Sequence, residues 1–274
     1  MGKMEPQAAA GTPGLMLTVQ ADGLKWPEMP VFASKEDERT HRKQRLAASF
    51  RIFAMHGFDS GIGGHITVRD PILTDHFWVN PLGVHFSRIK ASDLVLVDHV
   101  GNVKQGRHAI NAAAYAIHSS IHRARPDVVG AAHSHAKFGS TWSSLAKLIP
   151  PITQEATSFY KDHGLYDGYG GVAGEVSEGE LIGRALGDKK AVICRNHGLF
   201  TVGHSVEEAV FWFIRMERAC EQALMACSTG LRPVEIDDAT ATLASRQVGS
   251  HRSGWYSLQP LMDKVLAEQP DIVG

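Results

Sequence analysis

Two histidines one residue apart, in His133-Ser134-His135, close the apolar run Asp127-Val128-Val129-Gly130-Ala131-Ala132. On an extended strand, side chains two apart leave the same face, so both imidazoles can aim at one point. Neutral imidazole is the commonest protein ligand for metals, and three ligands with an open position make a catalytic rather than a closed structural site. A third imidazole is available from His197, in Arg195-Asn196-His197-Gly198 at the tip of a second apolar segment. The competing reading is a pair of surface histidines ending an ordinary strand, since histidine fills 15 of the 274 positions. Cys194 lies close to His197 in the chain, but a small buried residue on an apolar strand accounts for it without a metal.

These residues need elements to hold them. Ser34-Lys35-Glu36-Asp37 has the form of an N-cap with acid in the first turn. The helix it opens runs to His56-Gly57, with Leu46, Phe50, Phe53 and Ala54 on one face. Strands are expected over 66–68, 77–79 and 94–97, and a turn over 98–102. A helix from Ala109 to Ala124 leads into the histidine segment, and another follows it from Ala136 to Leu148. Pro150-Pro151 then opens a loop reaching Gly170-Gly171, longer than an ordinary connection and suited to cover a substrate. A helix over 177–187, strands over 191–194 and 199–202, and a long helix from Ser205 to about Ser228 complete the pattern. The organisation is one domain over 34–250, with a flexible arm over 1–33 and a tail over 251–274.

Bulk composition excludes several classes. Apolar residues make up 43% and charged residues 21%, as in ordinary globular domains. The formal net charge of -1 gives no electrostatic reason to bind nucleic acid or an anionic membrane. No stretch reaches the length of a membrane span, and the first twenty residues lack the apolar core of a signal peptide. Three cysteines without framework spacing fit reduced thiols in the cytoplasm.

The segment Arg125 to Ala136 resembles the metal-binding stretch of the class II aldolase/adducin family. The order of the other motifs fits as well: Gly63-Gly64-His65-Ile66-Thr67, then Asn80-Pro81-Leu82-Gly83, the H-x-H, and Asn196-His197-Gly198. The resemblance covers roughly Asp37 to Ala226. It implies a three-layer α/β/α domain with a mostly antiparallel central sheet. It also implies one divalent ion per subunit (Zn, Fe(II) or Mn) on His133, His135 and His197, and often a homotetramer.

The chain departs from the family's aldolases at two places. Those enzymes carry an acid/base glutamate four residues ahead of a helix histidine; that histidine matches His118, so the glutamate's place falls on Ala114. Their phosphate donors come from an asparagine, a Thr-Gly pair and a Ser-Ser pair, where this chain has His65, Leu82-Gly83 and Ala112-Ala113. A carboxylate fits better than a phosphate, received by His65 and Arg69, with Gly83 and Asn111 beside it. Glu155, Tyr160, Asp162 and His163 in the long loop are candidates for the missing acid/base, against plain exposed charges. Tyr256 is a candidate because family aldolases draw a C-terminal tyrosine from a neighbouring subunit. His118 and His122, at i and i+4, read as a chelating pair or as core histidines. Trp78, Phe77 and Phe86 read as walls of an aromatic pocket or as core.

The expected function is metal-dependent C–C cleavage next to the carbonyl of a non-phosphorylated oxo acid, by aldol-type or decarboxylating chemistry. The alternative is a non-haem Fe(II) oxygenase/decarboxylase for an aromatic 2-oxo acid. It is similar to the enzymes of aminocoumarin antibiotic pathways, and three histidines would leave about three coordination positions open. A non-catalytic adducin-like binding module is the third reading.

Overall fold

The computed structural model describes residues 28–171 and 176–274, so most of the expected 1–33 arm lies outside the described residues. Helix α1 (Lys35–Met55) opens where Ser34 Oγ accepts the Asp37 N–H at 3.0 Å, with Glu36, Asp37 and Glu38 facing the positive end of the helix dipole. Then come β1 (His65–Arg69), β2 (His76–Val79), β3 (Val95–Asp98), β4 (Val103–Gln105), α2 (Ala112–Ala124) and β5 (Gly130–Ser134). After them follow α3 (Lys137–Ser143), α4 (Gln154–Thr157), β6 (His163–Tyr166), α5 (Val176–Leu186), β7 (Ala191–Cys194) and β8 (Gly198–Gly203). The chain ends with α6 (Val206–Ser228), α7 (Asp238–Val248) and α8 (His251–Glu268).

The strands form one sheet in the order β4-β3-β2-β1-β5-β8-β7-β6, antiparallel throughout except for the parallel pair β6 and β7. Alternation along each strand splits the core in two. Ile66, Val68, Ala132, Ile193 and Leu199 face α1 and α6, whereas Ala131, Val192, Cys194, Phe200 and Val202 face Ile117 and Ile121 of α2 and Ile182 of α5. The result is the three-layer α/β/α arrangement. Among the described residues no helix is long and apolar enough to cross a membrane.

Three expectations need correction. The 150–171 loop contains α4 and the edge strand β6, which its short glycine-containing sequence does not announce; pairing to β7 recruits it. The helix after the histidine segment stops at Ser143, and Ala146 sits in the left-handed region at φ 49°. The tail over 251–274 is mostly helix. Leu258, Met262 and Val265 of α8 are buried in the core that α1 and α6 share, and Arg51 of α1 pairs with Asp271 at 3.0 Å.

Candidate metal centre

His133, His135 and His197 converge at one end of the sheet, with ligand nitrogens all within 4.8 Å of one another. Their ring centroids are 4.7–5.1 Å apart, and the ring planes cross at 73–77°. His133 lies deepest. Its Nδ1 donates to the Leu199 carbonyl at 2.8 Å, which fixes the tautomer and leaves Nε2 a lone pair. That Nε2 is buried with no hydrogen-bond partner, an unsatisfied acceptor that a divalent ion would satisfy. Phe200 stacks under the ring at 3.9 Å and keeps it from tilting.

Neutral imidazole is required for ligation, and the surroundings supply it. Burial pushes His133 well below the ordinary histidine range, helped by the neighbouring imidazoles of His197, His65 and His135. Burial, with His135 beside it, brings His197 down to about 4. His135, the most exposed of the three, is also lowered by burial. Cys194 is fully buried, its thiol pushed upward by desolvation, and among the described residues it belongs to no candidate metal group.

The backbone around the imidazoles is tightly specified. Asn196 adopts φ 57°, and the His197 N–H donates to the Cys194 carbonyl at 3.0 Å, forming the turn between β7 and β8. The Gly63-Gly64 turn lies against the H-x-H. A Cβ at Gly63 would stand 3.1 Å from His135 Nδ1, and Gly64 has φ +110°. From α6, Glu217 reaches across to accept the N–H groups of Phe138 and Gly139, each at 2.6 Å, and so caps α3 directly behind His135. Nothing in the reading of motifs pointed to Glu217. Its signal was a carboxylate on the apolar stripe formed by Phe213, Met216 and Cys220.

The remaining site candidates divide by position. His65 pairs across the sheet with His133, and its ring lies 4.9 Å from that of His133. Burial and the adjacent His118, His197 and His135 push its pKa far down, so it meets a ligand as a neutral group rather than as the cation expected for an anion. Gly83 (φ +81°) follows the end of β2 that pairs with Thr67, and Asn111 Nδ2 donates to the Ile62 carbonyl at 3.3 Å; both flank the same end.

Arg69 is at the other end of β1, its guanidinium spent on the carbonyls of Val128, Thr74, His122 and Arg125. It is a structural cation, not an anion receptor for this centre. Asp162 pairs with Lys190 at 2.9 Å, and His163 uses both ring nitrogens, accepting the Ile149 N–H and bonding the Phe159 carbonyl. Both residues sit where β6 starts, opposite Ala191 and away from the His197 turn. Tyr160 donates to Asp238 of α7 at 2.8 Å, and Glu155 begins α4, which packs on α6 and α7. Tyr256 lies in the second turn of α8, whose first residue, His251, stacks on His204 just past the far end of β8. None of these five is brought to the centre within one subunit.

Trp78, Phe77 and Phe86 are core residues, and Trp78 Nε1 donates to Asp70 at 2.7 Å. Ala114 is buried among Phe77, Val79, Val95 and Val97, so the aldolase glutamate's place is apolar packing here. His118 and His122 are buried and hydrogen-bonded, consistent with core histidines rather than a chelating pair.

The class II aldolase and adducin N-terminal domain matches residues 44–224. The decarboxylase NovR of Streptomyces niveus is 41% identical over 245 residues, 89% of this chain and 90% of its own length. A 4-hydroxy-3-prenylphenylpyruvate oxygenase/4-hydroxy-3-prenylbenzoate synthase of Streptomyces roseochromogenus subsp. oscitans is 40% identical, over 89% of this chain and 88% of its own. Among solved structures, an L-fuculose 1-phosphate aldolase from Glaciozyma antarctica PI12 superposes with a TM-score of 0.83 at 39% identity, covering 90% of this chain and 96% of that one. Three imidazoles set in this sheet, the domain match and these near full-length similarities make one case: the chain belongs to the class II aldolase/adducin family.

Proposed function

We propose that this protein is a metal-dependent enzyme that breaks the C–C bond next to the carbonyl of a non-phosphorylated 2-oxo acid, with decarboxylation as the reaction. The observation that carries it is an all-histidine candidate ligand set with a buried, partnerless His133 Nε2, while Ala114, in the aldolase glutamate's place, is packed among apolar side chains and supplies no carboxylate base. Loss of carbon dioxide needs no base to remove a proton, whereas aldol cleavage does. A divalent ion (Zn, Fe(II) or Mn) on His133, His135 and His197 would supply Lewis-acid polarisation of the substrate carbonyl or, as iron, redox chemistry with dioxygen. The chain's own part is to hold neutral imidazoles in place, exclude water behind Phe200, and offer the uncharged His65 beside the reacting group.

A second reading, oxygen-dependent decarboxylation of an aromatic 2-oxo acid, is favoured by the oxygenase/synthase name of the 40% identical Streptomyces relative. Phosphorylated sugars are disfavoured because Arg69 is committed to backbone carbonyls and His65 is neutral, although the Glaciozyma neighbour bears a sugar-phosphate aldolase name. A homotetramer and a cytoplasmic location fit the family and the three free thiols.

The test is anaerobic purification with metal analysis, then carbon dioxide release from 4-hydroxyphenylpyruvate with and without oxygen. Oxygen-independent release supports the leading reading, and release that stops under nitrogen promotes the second. Ready cleavage of L-fuculose 1-phosphate would overturn both.

A further inference from the structure

At the end of the sheet away from the His197 turn, a second set of donor side chains meets. His204 follows β8, Glu208 stands in the first turn of α6, and His251 opens α8. Their donor atoms all lie within 4.8 Å of one another, and among the described residues only this group and the three-histidine centre bring three such donors together. His251 Nδ1 is 2.7 Å from Glu208 Oε1, and the His204 ring stacks on that of His251 with centroids 3.7 Å apart. Glu208 is buried, whereas the His204 and His251 side chains keep 43% and 56% of their exposure. A cavity of about 50 Å³, lined by both imidazoles, lies alongside, with room for water.

The spacing and the charge suit a cation. A zinc ion bound to imidazole and carboxylate at ~2.0–2.2 Å holds its donor atoms roughly 3.3 Å apart. His251 Nδ1 and Glu208 Oε1 already lie inside that spacing, and the His204 ring, half in solvent, can turn to close the rest. A buried carboxylate is costly unless its charge is matched. Trp212 Nε1 donates to Glu208 Oε1 at 2.8 Å and the His204 N–H to Oε2 at 2.7 Å, so the carboxylate is held in place with its open side toward the imidazoles. Asp127 adds a second negative group, its Oδ2 3.7 Å from His204 Nε2. Lys190, a cation on the wall of the same cavity, is already paired with Asp162 at 2.9 Å.

We infer that His204, Glu208 and His251 form a second metal site, distinct from the three-histidine centre, that takes Zn(II) with a water in the fourth position. The ligands come from the β8–α6 junction and from the first residue of α8. A bound ion therefore ties the C-terminal helix to the sheet, and its effect is on the docking of α8 rather than on chemistry at the other end. The inference stands whether or not the three-histidine centre holds a metal.

The test is titration of zinc chloride into tag-free, chelator-stripped protein at pH 8, where the proton that Glu208 favours on His251 competes less. In the double variant His133→Ala/His197→Ala, which disables the three-histidine centre, one zinc per subunit should still bind and should raise the Tm. Adding His251→Gln should abolish both effects, and adding His204→Gln should weaken binding by at least about tenfold, since even an outer partner of a ligand is worth roughly 10–100-fold. Zinc absorption spectroscopy of the double variant should show two imidazoles and a carboxylate oxygen. In the wild-type background His251→Gln should lower the zinc count by one per subunit, a comparison that holds even where the double variant does not fold. A folded double variant that takes up no zinc, or a zinc count indifferent to His251→Gln in both backgrounds, overturns the site and leaves His251 and Glu208 as a plain ion pair between two helices.

Discussion

Glu217→Ala tests whether the centre depends on a support invisible in its own motifs. α3 begins two residues after His135 and has no side-chain cap at Ala136. Both oxygens of Glu217, from α6, accept its first free N–H groups, Phe138 to Oε1 and Gly139 to Oε2, at 2.6 Å. A hydrogen bond to a charged group contributes a net ~1.5–3 kcal/mol, so two are worth roughly 3–6 kcal/mol. Burial pushes the Glu217 carboxyl upward even though both N–H bonds pull it down, so desolvation offsets part of that sum. A net loss of about 3 kcal/mol is therefore expected on truncation, which also leaves two N–H groups unpaired.

With a denaturation slope of about 3 kcal/mol/M, the urea midpoint of the metal-free variant should fall by about 1 M. Because α3 anchors the backbone after His135, metal affinity should drop by about 10–100-fold, the range for losing a group that orients a ligand. Glu217→Gln keeps one acceptor but turns an amide N–H₂ toward the other donor, so it should fall between. A Glu217→Ala protein within about 0.5 kcal/mol of wild type, with unchanged metal affinity, would refute the argument.

Alanine in place of His133, His135 or His197 should each sharply reduce bound metal in the purified protein, and full occupancy in His197→Ala would place the third ligand elsewhere. Ala114→Glu should destabilise the fold by about 3 kcal/mol or more, because its carboxylate would be buried among Phe77, Val79, Val95 and Val97; a variant as stable as wild type would show that the position opens toward solvent. Metal-free stability should fall as pH drops from 6.5. Between the unfolded histidine value and the folded His197 value of about 4, only the unfolded chain takes up the proton, for a loss of at most about 3 kcal/mol from this residue. Urea midpoints between pH 7.5 and 5 measure it, and His197→Gln should flatten the slope; an equally steep slope in that variant would assign the effect to other groups.

The three clustered histidines were legible because their signals are local. A strand period of two places His133 and His135 together, and a turn residue between two apolar runs places His197. The ends of α1 and α6 were legible for the same reason, since Ser34 and Ser205 cap them with their own hydroxyls. The helices α7 and α8 were not read from the sequence, where 251–274 is only a tail, because apolar positions such as Leu258 and Met262 gain meaning only against α6 and α1. The contact between Glu217 and α3 and the hydrogen bonds from His65 to His122 join residues 51 to 79 positions apart, and no spacing rule links them.

The misplaced acid/base candidates follow from one topological fact. β7 ends at the turn that carries His197, and β6 runs parallel to β7, with His163 opposite Ala191 and Tyr166 opposite Cys194. Everything just before β6 must therefore sit at the end of the sheet away from the histidines, and everything just after it at the near end. Tyr160 and Asp162 fall on the wrong side of a single strand. Asp167, which pairs with Arg195 at 2.8 Å beside the His197 turn, falls on the right one. Had β6 been antiparallel to β7, the same residues would have flanked the centre. Neither direction leaves a mark in the four residues His163-Gly164-Leu165-Tyr166, so the chemistry is easily credited to the half of the segment that lies at the far end of the sheet.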